Sequence, residues 1–93
     1  MHIYEGRWLS VVFSRTHLIL LSILSKLEAT SAGRAITMQH LNTYCPIGKS
    51  YTTLLRAIQF LQQNGFIEQG VKDGQFNTYF INQLGVEKLK ELV

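Results

Sequence analysis

The sequence predicts a mainly helical α+β fold in which three helices precede a two-stranded β ribbon and a last helix follows it. Three segments between residues 16 and 65 repeat apolar residues at helical spacing. After them, Asp73-Gly74 lies between two β-rich runs, which is a strong hairpin signal. With 93 residues, of which 46% are hydrophobic and 16% charged, the chain has the size and composition of one domain. We divide it into an N-terminal arm (1–15), a helical core (16–65), the ribbon (66–82) and a C-terminal helix (83–93).

The N-terminal arm mixes aromatic and β-branched residues around Gly6, so a short strand and a helical arm both remain open. Its apolar residues, Trp8, Val11, Val12 and Phe13, need burial. An apolar segment at a chain terminus can pack on a second subunit or on its own domain. The sequence does not decide between these two interpretations.

Helix one is predicted to begin at Thr16, a suitable N-cap, and a second helix to follow the cap residue Thr37. Pro46 ends the second helix, because the residue before a proline is pushed out of the helical region. The inward residues of helix one should be Leu20, Ile23, Leu24 and Leu27. Those of helix two should be Met38, Leu41 and, at its end, Tyr44.

The third helix, at about 48–64, has the most regular pattern, and Asn64-Gly65 supplies the left-handed residue that ends it. Its apolar seam comprises Ile47, Tyr51, Leu54, Ile58 and Leu61. The opposite face comprises Lys49, Thr52, Thr53, Arg56, Gln59 and Gln63. That face carries cations and neutral hydrogen-bonding groups but no carboxylate, the set that binds phosphates and base edges. An ordinary solvated face is the alternative.

The ribbon starts at Phe66-Ile67 and turns at Lys72-Asp73-Gly74-Gln75. Alternation in its second strand puts Phe76, Thr78 and Phe80 on one face and Asn77, Tyr79 and Ile81 on the other. Asn82 is a candidate cap for the last helix. The apolar stripe of that helix, Val86, Leu89 and Leu92 or Val93, suits the core or a dimer surface.

The net charge favours an anionic partner, and the composition disfavours a disulfide-bonded, metal-binding or membrane-spanning protein. The net charge is +3 with a pI near 9.3. The lone Cys45 excludes an internal disulfide, and the histidines at 2, 17 and 40 lack ligand spacing, so we expect no metal or cofactor. Cys45 should be a packed or half-exposed thiol, with an intersubunit bridge as the alternative. The lone cysteine favours an intracellular, reduced setting. The apolar run HLILLSIL is too short for a membrane span.

Gly48-Lys49-Ser50 matches the end of a nucleotide-binding phosphate loop, but the required first glycine is Thr43 here. The triplet instead lies at the start of the third helix, where the helix dipole and Lys49 favour an anion. Ser50 can hold a phosphate or act as a plain cap, and the two roles are compatible. No carboxylate pair, or nucleophile with its base, can be assembled, so we predict that the protein is not an enzyme.

The order of elements resembles a winged helix-turn-helix DNA-binding domain. The segments TTLLRAIQFLQQNGFIE, DGQ and YFINQLG are similar to the MarR and SlyA type over residues 16–93. The resemblance implies a recognition helix whose contacts fall on Thr52, Thr53 and Arg56, with Lys49 and Ser50 at its start. Such proteins commonly place an arginine at the wing tip, whereas this chain has Gln75 and keeps only Lys72 as a cation nearby.

These observations together predict a homodimeric, sequence-specific transcription regulator that binds double-stranded DNA at a pseudo-palindromic site. The predicted DNA-binding residues are Lys49, Ser50, Tyr51, Thr52, Thr53, Arg56, Gln59, Lys72 and Gln75. Tyr51 also lies on the seam, so a core role stays open. We expect dimerisation through the N-terminal arm, helix one and the C-terminal helix, and association with the nucleoid. His17 should be packed at an interface or sense pH, and His40 should lie at the surface. The rival function is a winged-helix module that binds an acidic protein.

Overall fold

The computed structural model describes residues 13–45 and 50–92. Its helices are α1 (Arg15–Lys26), α2 (Met38–Thr43), α3 (Tyr51–Gln63) and α4 (Gln83–Leu92), its strands are β1 (Ile36–Thr37), β2 (Ile67–Gln69) and β3 (Thr78–Ile81), and a 3-10 turn spans Ala32–Arg34. The predicted fold class is confirmed. The predictions for residues 1–12, Ile47, Lys49 and Val93 fall outside the described residues.

Helix α1 begins two residues earlier than predicted. Its cap is Ser14, whose Oγ accepts the His17 backbone N–H at 3.3 Å, while His17 Nδ1 accepts the Ser14 N–H at 3.0 Å. The prediction of Thr16 as the cap was therefore wrong. Three residues after Ser14, His17 has a side chain that can bond back to the cap residue, whereas the residue three positions after Thr16 is the apolar Ile19. The buried face is Leu20, Leu21 and Leu24, whereas Ile23 and Leu27, predicted to point inward, are half-buried. The inward face is thus rotated toward Leu21.

Helix α2 confirms its predicted cap and most of its core. Thr37 Oγ1 accepts the His40 N–H at 3.1 Å, and Met38 and Leu41 are buried. Tyr44 comes after the last helical residue and is 49% exposed, so its predicted inward position was wrong. The next residue, Cys45, is a free, half-buried thiol packed against the core, as expected.

Helix α3 lies on the core through Leu54, Ala57, Ile58 and Leu61. It ends as predicted, with Asn64 as C-cap and Gly65 at a φ of +83°, a conformation in which a side chain would be strained. Tyr51 is the first helical residue and is 50% exposed, so its place on the apolar seam was wrong. At this first turn Tyr51 lines a groove between α3 and the hairpin instead of lying in the core.

The sheet has three antiparallel strands in the order β1-β3-β2, where the sequence predicted two. The predicted ribbon is β2 and β3, with Ile67 opposite Ile81. The added strand pairs Ile36 with Tyr79 and Thr37 with Thr78. Thr78, Tyr79 and Ile81 are all buried, so β3 does not present one inward and one outward face. On its second face Thr78 donates a 2.6 Å hydrogen bond from its Oγ1 to the carbonyl oxygen of Val71.

The predicted hairpin is confirmed, but its turn lies one residue later than predicted, with Gly74 and Gln75 at its centre instead of Asp73 and Gly74. Asp73 and Phe76 exchange backbone hydrogen bonds of 3.0 Å in both directions, which leaves a two-residue turn. Gly74 occupies the first central position at a φ of +63°, as type II′ turns require.

Asn82 connects three elements at the opposite end of the hairpin. Its Oδ1 accepts the Gly85 N–H at 2.8 Å and so caps α4, as predicted. Its Nδ2 donates to Gly65 O at 2.7 Å and to Glu68 Oε2 at 2.8 Å. Of the predicted stripe, Val86 and Leu89 are half-buried against the core, while Leu92 is 38% exposed. No helix among the described residues is long and apolar enough to cross a membrane.

Candidate nucleic-acid interface

The face of α3 turned away from the core is open to solvent, as predicted. Thr52, Thr53, Arg56, Gln59 and Gln63 are all exposed, while Leu54 and Ile58 on the other side of the same helix are completely buried. A helix advances about 100° per residue, so these five side chains form one surface along the helix. We call this surface the α3 outer face.

The α3 outer face carries a cation that no carboxylate of the described residues neutralises. The 13 residues of α3 include no Asp or Glu. Elsewhere, Glu28 pairs with Arg34 at 3.2 Å and Glu91 pairs with Lys88 at 3.0 Å. The guanidinium of Arg56, by contrast, makes no ion pair or hydrogen bond with any residue in 13–45 or 50–92. All of its donors can therefore serve a partner.

Ser50 fixes the start of α3. Its Oγ accepts the Thr53 backbone N–H at 3.2 Å and lies 3.0 Å from Thr53 Oγ1, to which it donates. The predicted cap is confirmed. No acidic side chain occupies the first turn, so the positive end of the helix dipole is not compensated from within α3. The predicted phosphate contact of Ser50 stays a prediction.

A groove of about 240 Å³ separates α3 from the β hairpin. We call it the wing groove, and its lining residues are Thr37, Met38, Gln39, Tyr51, Leu55, Gln75, Phe76, Asn77 and Tyr79. Tyr51 and Phe76, the two aromatic residues on opposite elements, are 50% and 47% exposed. None of these lining side chains, all from the described part of the chain, is charged. The structure therefore brings predicted residues Tyr51 and Gln75 together, and it resolves the ambiguity of Tyr51 in favour of a surface position.

Burial raises the pKa of the Tyr79 phenol at the base of the wing groove. Nearby Tyr51 adds to the rise, while a hydrogen bond with Asn77 opposes it. The phenol thus stays protonated at neutral pH and can donate a hydrogen bond. Gln39, Phe76 and Asn77 were not recognised as site residues. Phe76 directly follows the turn, which was an available signal, whereas the role of Gln39 depends on packing between distant segments.

Lys72 lies on the other side of the hairpin. It lines a second cleft, of about 300 Å³, together with His40 and residues of the 3-10 turn, and it shares this cleft with the carboxylate of Asp73. The structure therefore does not place Lys72 and Gln75 in one site.

His17 packs within its own chain, against α3. Its ring stacks on the Phe60 ring, with 4.2 Å between the centroids and 15° between the planes. The Phe13 ring is nearly perpendicular to the His17 ring, and their centroids are 6.2 Å apart. Burial lowers the pKa of His17. Its Nδ1 accepts a backbone hydrogen bond, which requires that nitrogen to be unprotonated. His40 is exposed, as predicted.

The described residues contain no group of three or more His, Cys, Asp or Glu side chains that could hold a metal ion.

A scan of the chain against models of protein families finds no match, and a search of curated proteins finds none either. Solved structures do match. TubR from Bacillus megaterium pBM400 superimposes with a TM-score of 0.77 at 15% identity, over 98% of this chain and 97% of that chain. The DNA-binding TubR fragment from Clostridium botulinum gives a TM-score of 0.69 at 23% identity, over 89% of this chain and 100% of that chain.

A possible HxlR family transcriptional factor from Thermoplasma volcanium GSS1 gives a TM-score of 0.65 at 22% identity, over 86% of this chain and 66% of that chain. At these identities the likeness establishes the fold, which is the predicted winged helix-turn-helix. In that fold α2 and α3 form the helix-turn-helix and the β2–β3 hairpin is the wing. None of the three names refers to the MarR or SlyA type, so this narrower assignment stays a prediction.

Proposed function

We propose that this protein is a homodimeric, sequence-specific transcription regulator that binds double-stranded DNA and inserts α3 into the major groove. The observation that carries the proposal is the exposed α3 outer face, which has no carboxylate and whose Arg56 makes no ion pair with any described residue. A neighbour in fold named as DNA-binding, and another named as a transcriptional factor, support it. A MarR or SlyA-like affiliation and an intracellular, nucleoid-associated location are parts of the same proposal.

Each side chain on the α3 outer face has a chemical role suited to DNA. The planar guanidinium of Arg56 can form a bidentate contact to guanine, the commonest base-specific contact in the major groove. Gln59 and Thr52 suit weaker base or phosphate contacts. Thr53 and Ser50 lie at the helix N-terminus with Lys49 just before it, where phosphate contacts orient the protein on the duplex.

The proposed dimer joins α1, α4 and the N-terminal arm of each copy. Its support is an apolar cleft of about 520 Å³ on the outward side of α1, lined by Leu18, Ile19, Ser22, Ile23, Lys26, Leu27 and Tyr44. A helix that is apolar on both its inward and outward sides normally has neighbours on both. Two copies would place two α3 helices on half-sites about one helical turn apart, hence a pseudo-palindrome.

The test selects bound duplexes from a random pool and then measures affinity against salt concentration. Arg56→Ala should weaken the selected duplex by about 1–3 kcal/mol and relax its sequence preference. Lys49→Ala should weaken binding to all sequences and reduce the salt slope by about one unit. Arg34→Ala is the matched control, because it removes an equal charge that is already paired with Glu28 away from α3.

Two outcomes would contradict the proposal. If Arg56→Ala binds and discriminates as the unaltered protein does, the assignment of the α3 outer face is wrong. If affinity for duplex DNA is weak and nearly independent of salt, the alternative of a protein-binding module is favoured, since DNA binding releases counterions and is steeply salt-dependent.

A further inference from the structure

Phe76 is exposed at a position where the backbone holds it firmly. Both of its backbone polar groups bond to Asp73, each at 3.0 Å, across the two-residue turn. Its side chain is nevertheless 47% exposed. Burial of a Phe side chain is stabilising, so the fold leaves part of this stabilisation unused. A partner surface that covers the ring would recover it.

The surroundings of Phe76 indicate the chemistry of that partner. The wing groove offers Tyr51 opposite Phe76 and three neutral amides, Gln39, Gln75 and Asn77. Among residues 13–45 and 50–92, it holds no cation for a phosphate and no anion for a basic peptide. Aromatic rings with neutral hydrogen-bonding groups suit the deoxyribose and base surfaces of nucleic acid, where stacking and apolar contact dominate.

The position of Lys72 supports the same conclusion. In winged helices that hold the duplex by charge, the wing needs a free cation on the side that faces DNA. Here Lys72 lines the cleft on the far side of the hairpin, beside Asp73. The side of the wing that faces α3 therefore presents Phe76 and no charge.

We propose that the wing contacts DNA through Phe76, whose ring packs on the sugar and base surface of the strand next to the major groove occupied by α3. Tyr51 forms the opposite wall of this contact. The inference rests on the proposed function, because α3 must sit on DNA for the wing groove to meet the strand. It adds an uncharged wing contact that the resemblance to arginine-tipped wings did not imply.

The experiment compares Phe76→Ala with Val71→Ala on the selected duplex, by fluorescence polarisation over a series of salt concentrations. Val71 is the matched control, since it is 67% exposed on the same hairpin but lines the other cleft. Phe76→Ala should weaken binding about tenfold and leave the slope of log K against log salt unchanged, because no phosphate contact is lost. Val71→Ala should change neither quantity.

The possible results separate this inference from the proposed function. Steep salt dependence with equal affinities for Phe76→Ala and the unaltered protein would overturn the wing contact and leave the proposed function standing. A salt slope reduced by about one unit in Phe76→Ala would also overturn it, since that loss indicates a phosphate contact. Absence of salt-dependent binding in the unaltered protein would overturn both. Circular dichroism checks folding, and Phe76→Thr, which keeps a strand-forming residue, replaces Phe76→Ala if the hairpin is lost.

Discussion

Replacing Gly70 with alanine should loosen the wing from the helical core. A Cβ atom at Gly70 would lie 2.5 Å from Ala35 Cβ and 2.6 Å from the carbonyl oxygen of Ala32. Ordinary contacts begin near 3.4 Å, so relief requires a displacement of nearly 1 Å. Neither neighbour can rotate away, because one is a backbone atom and the other a methyl group fixed to the backbone.

The expected magnitude follows from what the displacement disrupts. Inserting a methyl group into a tight contact destabilises by about 1–3 kcal/mol. Separation of the wing from the 3-10 turn would also break the hydrogen bond from Val71 N to Ala32 O, 3.1 Å long, which contributes about 0.5–1.5 kcal/mol. Alanine also lowers the conformational entropy of the unfolded chain, which offsets about 0.4–1 kcal/mol of this destabilisation. We therefore expect a loss of about 2–3 kcal/mol, or a melting temperature lowered by about 10–20 °C.

Urea unfolding followed by circular dichroism measures this loss, and Gly33→Ala is the control. Gly33 lies in the same 3-10 turn, but no atom comes within 4 Å of its Cβ position and its φ is not positive. Gly33→Ala should therefore leave the free energy of unfolding unchanged or raise it by up to about 1 kcal/mol. If the two variants differ by less than about 0.5 kcal/mol, the close approach of the wing to the turn is not real.

Two further substitutions test the helix N-termini. Ser50→Ala should lower the unfolding free energy by about 0.5–2 kcal/mol through loss of the cap, whereas Ser50→Asp should keep the cap but weaken DNA binding by placing a carboxylate near phosphate. Equal DNA affinity of Ser50→Asp and the unaltered protein would show that Ser50 is a cap alone. For His17, burial lowers the pKa in the folded state, so the unfolded chain protonates first and stability falls as the pH drops below 6.5. His17→Gln keeps a side-chain acceptor for the cap but does not titrate, so its melting temperature should fall less than that of the unaltered protein between pH 7.5 and 5. Equal dependence of the two melting temperatures on pH would contradict the assignment of this loss to His17.

The sequence was sufficient where structure is determined by nearby residues. The caps Thr37 and Asn82, the end of α3 at Gly65 and the turn at Gly74 each depend on residues at most four positions apart. The exposed side of α3 was predictable for the same reason, because helical periodicity orients a side chain once a few core positions are known.

Features that depend on distant segments were not predictable. Strand β1 has two residues and exists only because Tyr79 and Thr78 of β3 are brought alongside it. The exposure of Tyr51 depends on where α3 extends beyond the core, and the separation of Lys72 from Gln75 depends on which side of the hairpin faces α3. Periodicity places a residue on a face but does not say what that face meets.

Thr37 belongs to two elements at once: it pairs with Thr78 in the sheet and caps α2 through its side chain. Opening of the β1–β3 ladder would shift the residue that holds the first turn of α2, so the sheet and the helix-turn-helix should open together. Amide hydrogens at His40 and in β3 should therefore exchange with solvent at similar rates, as members of one cooperative unit.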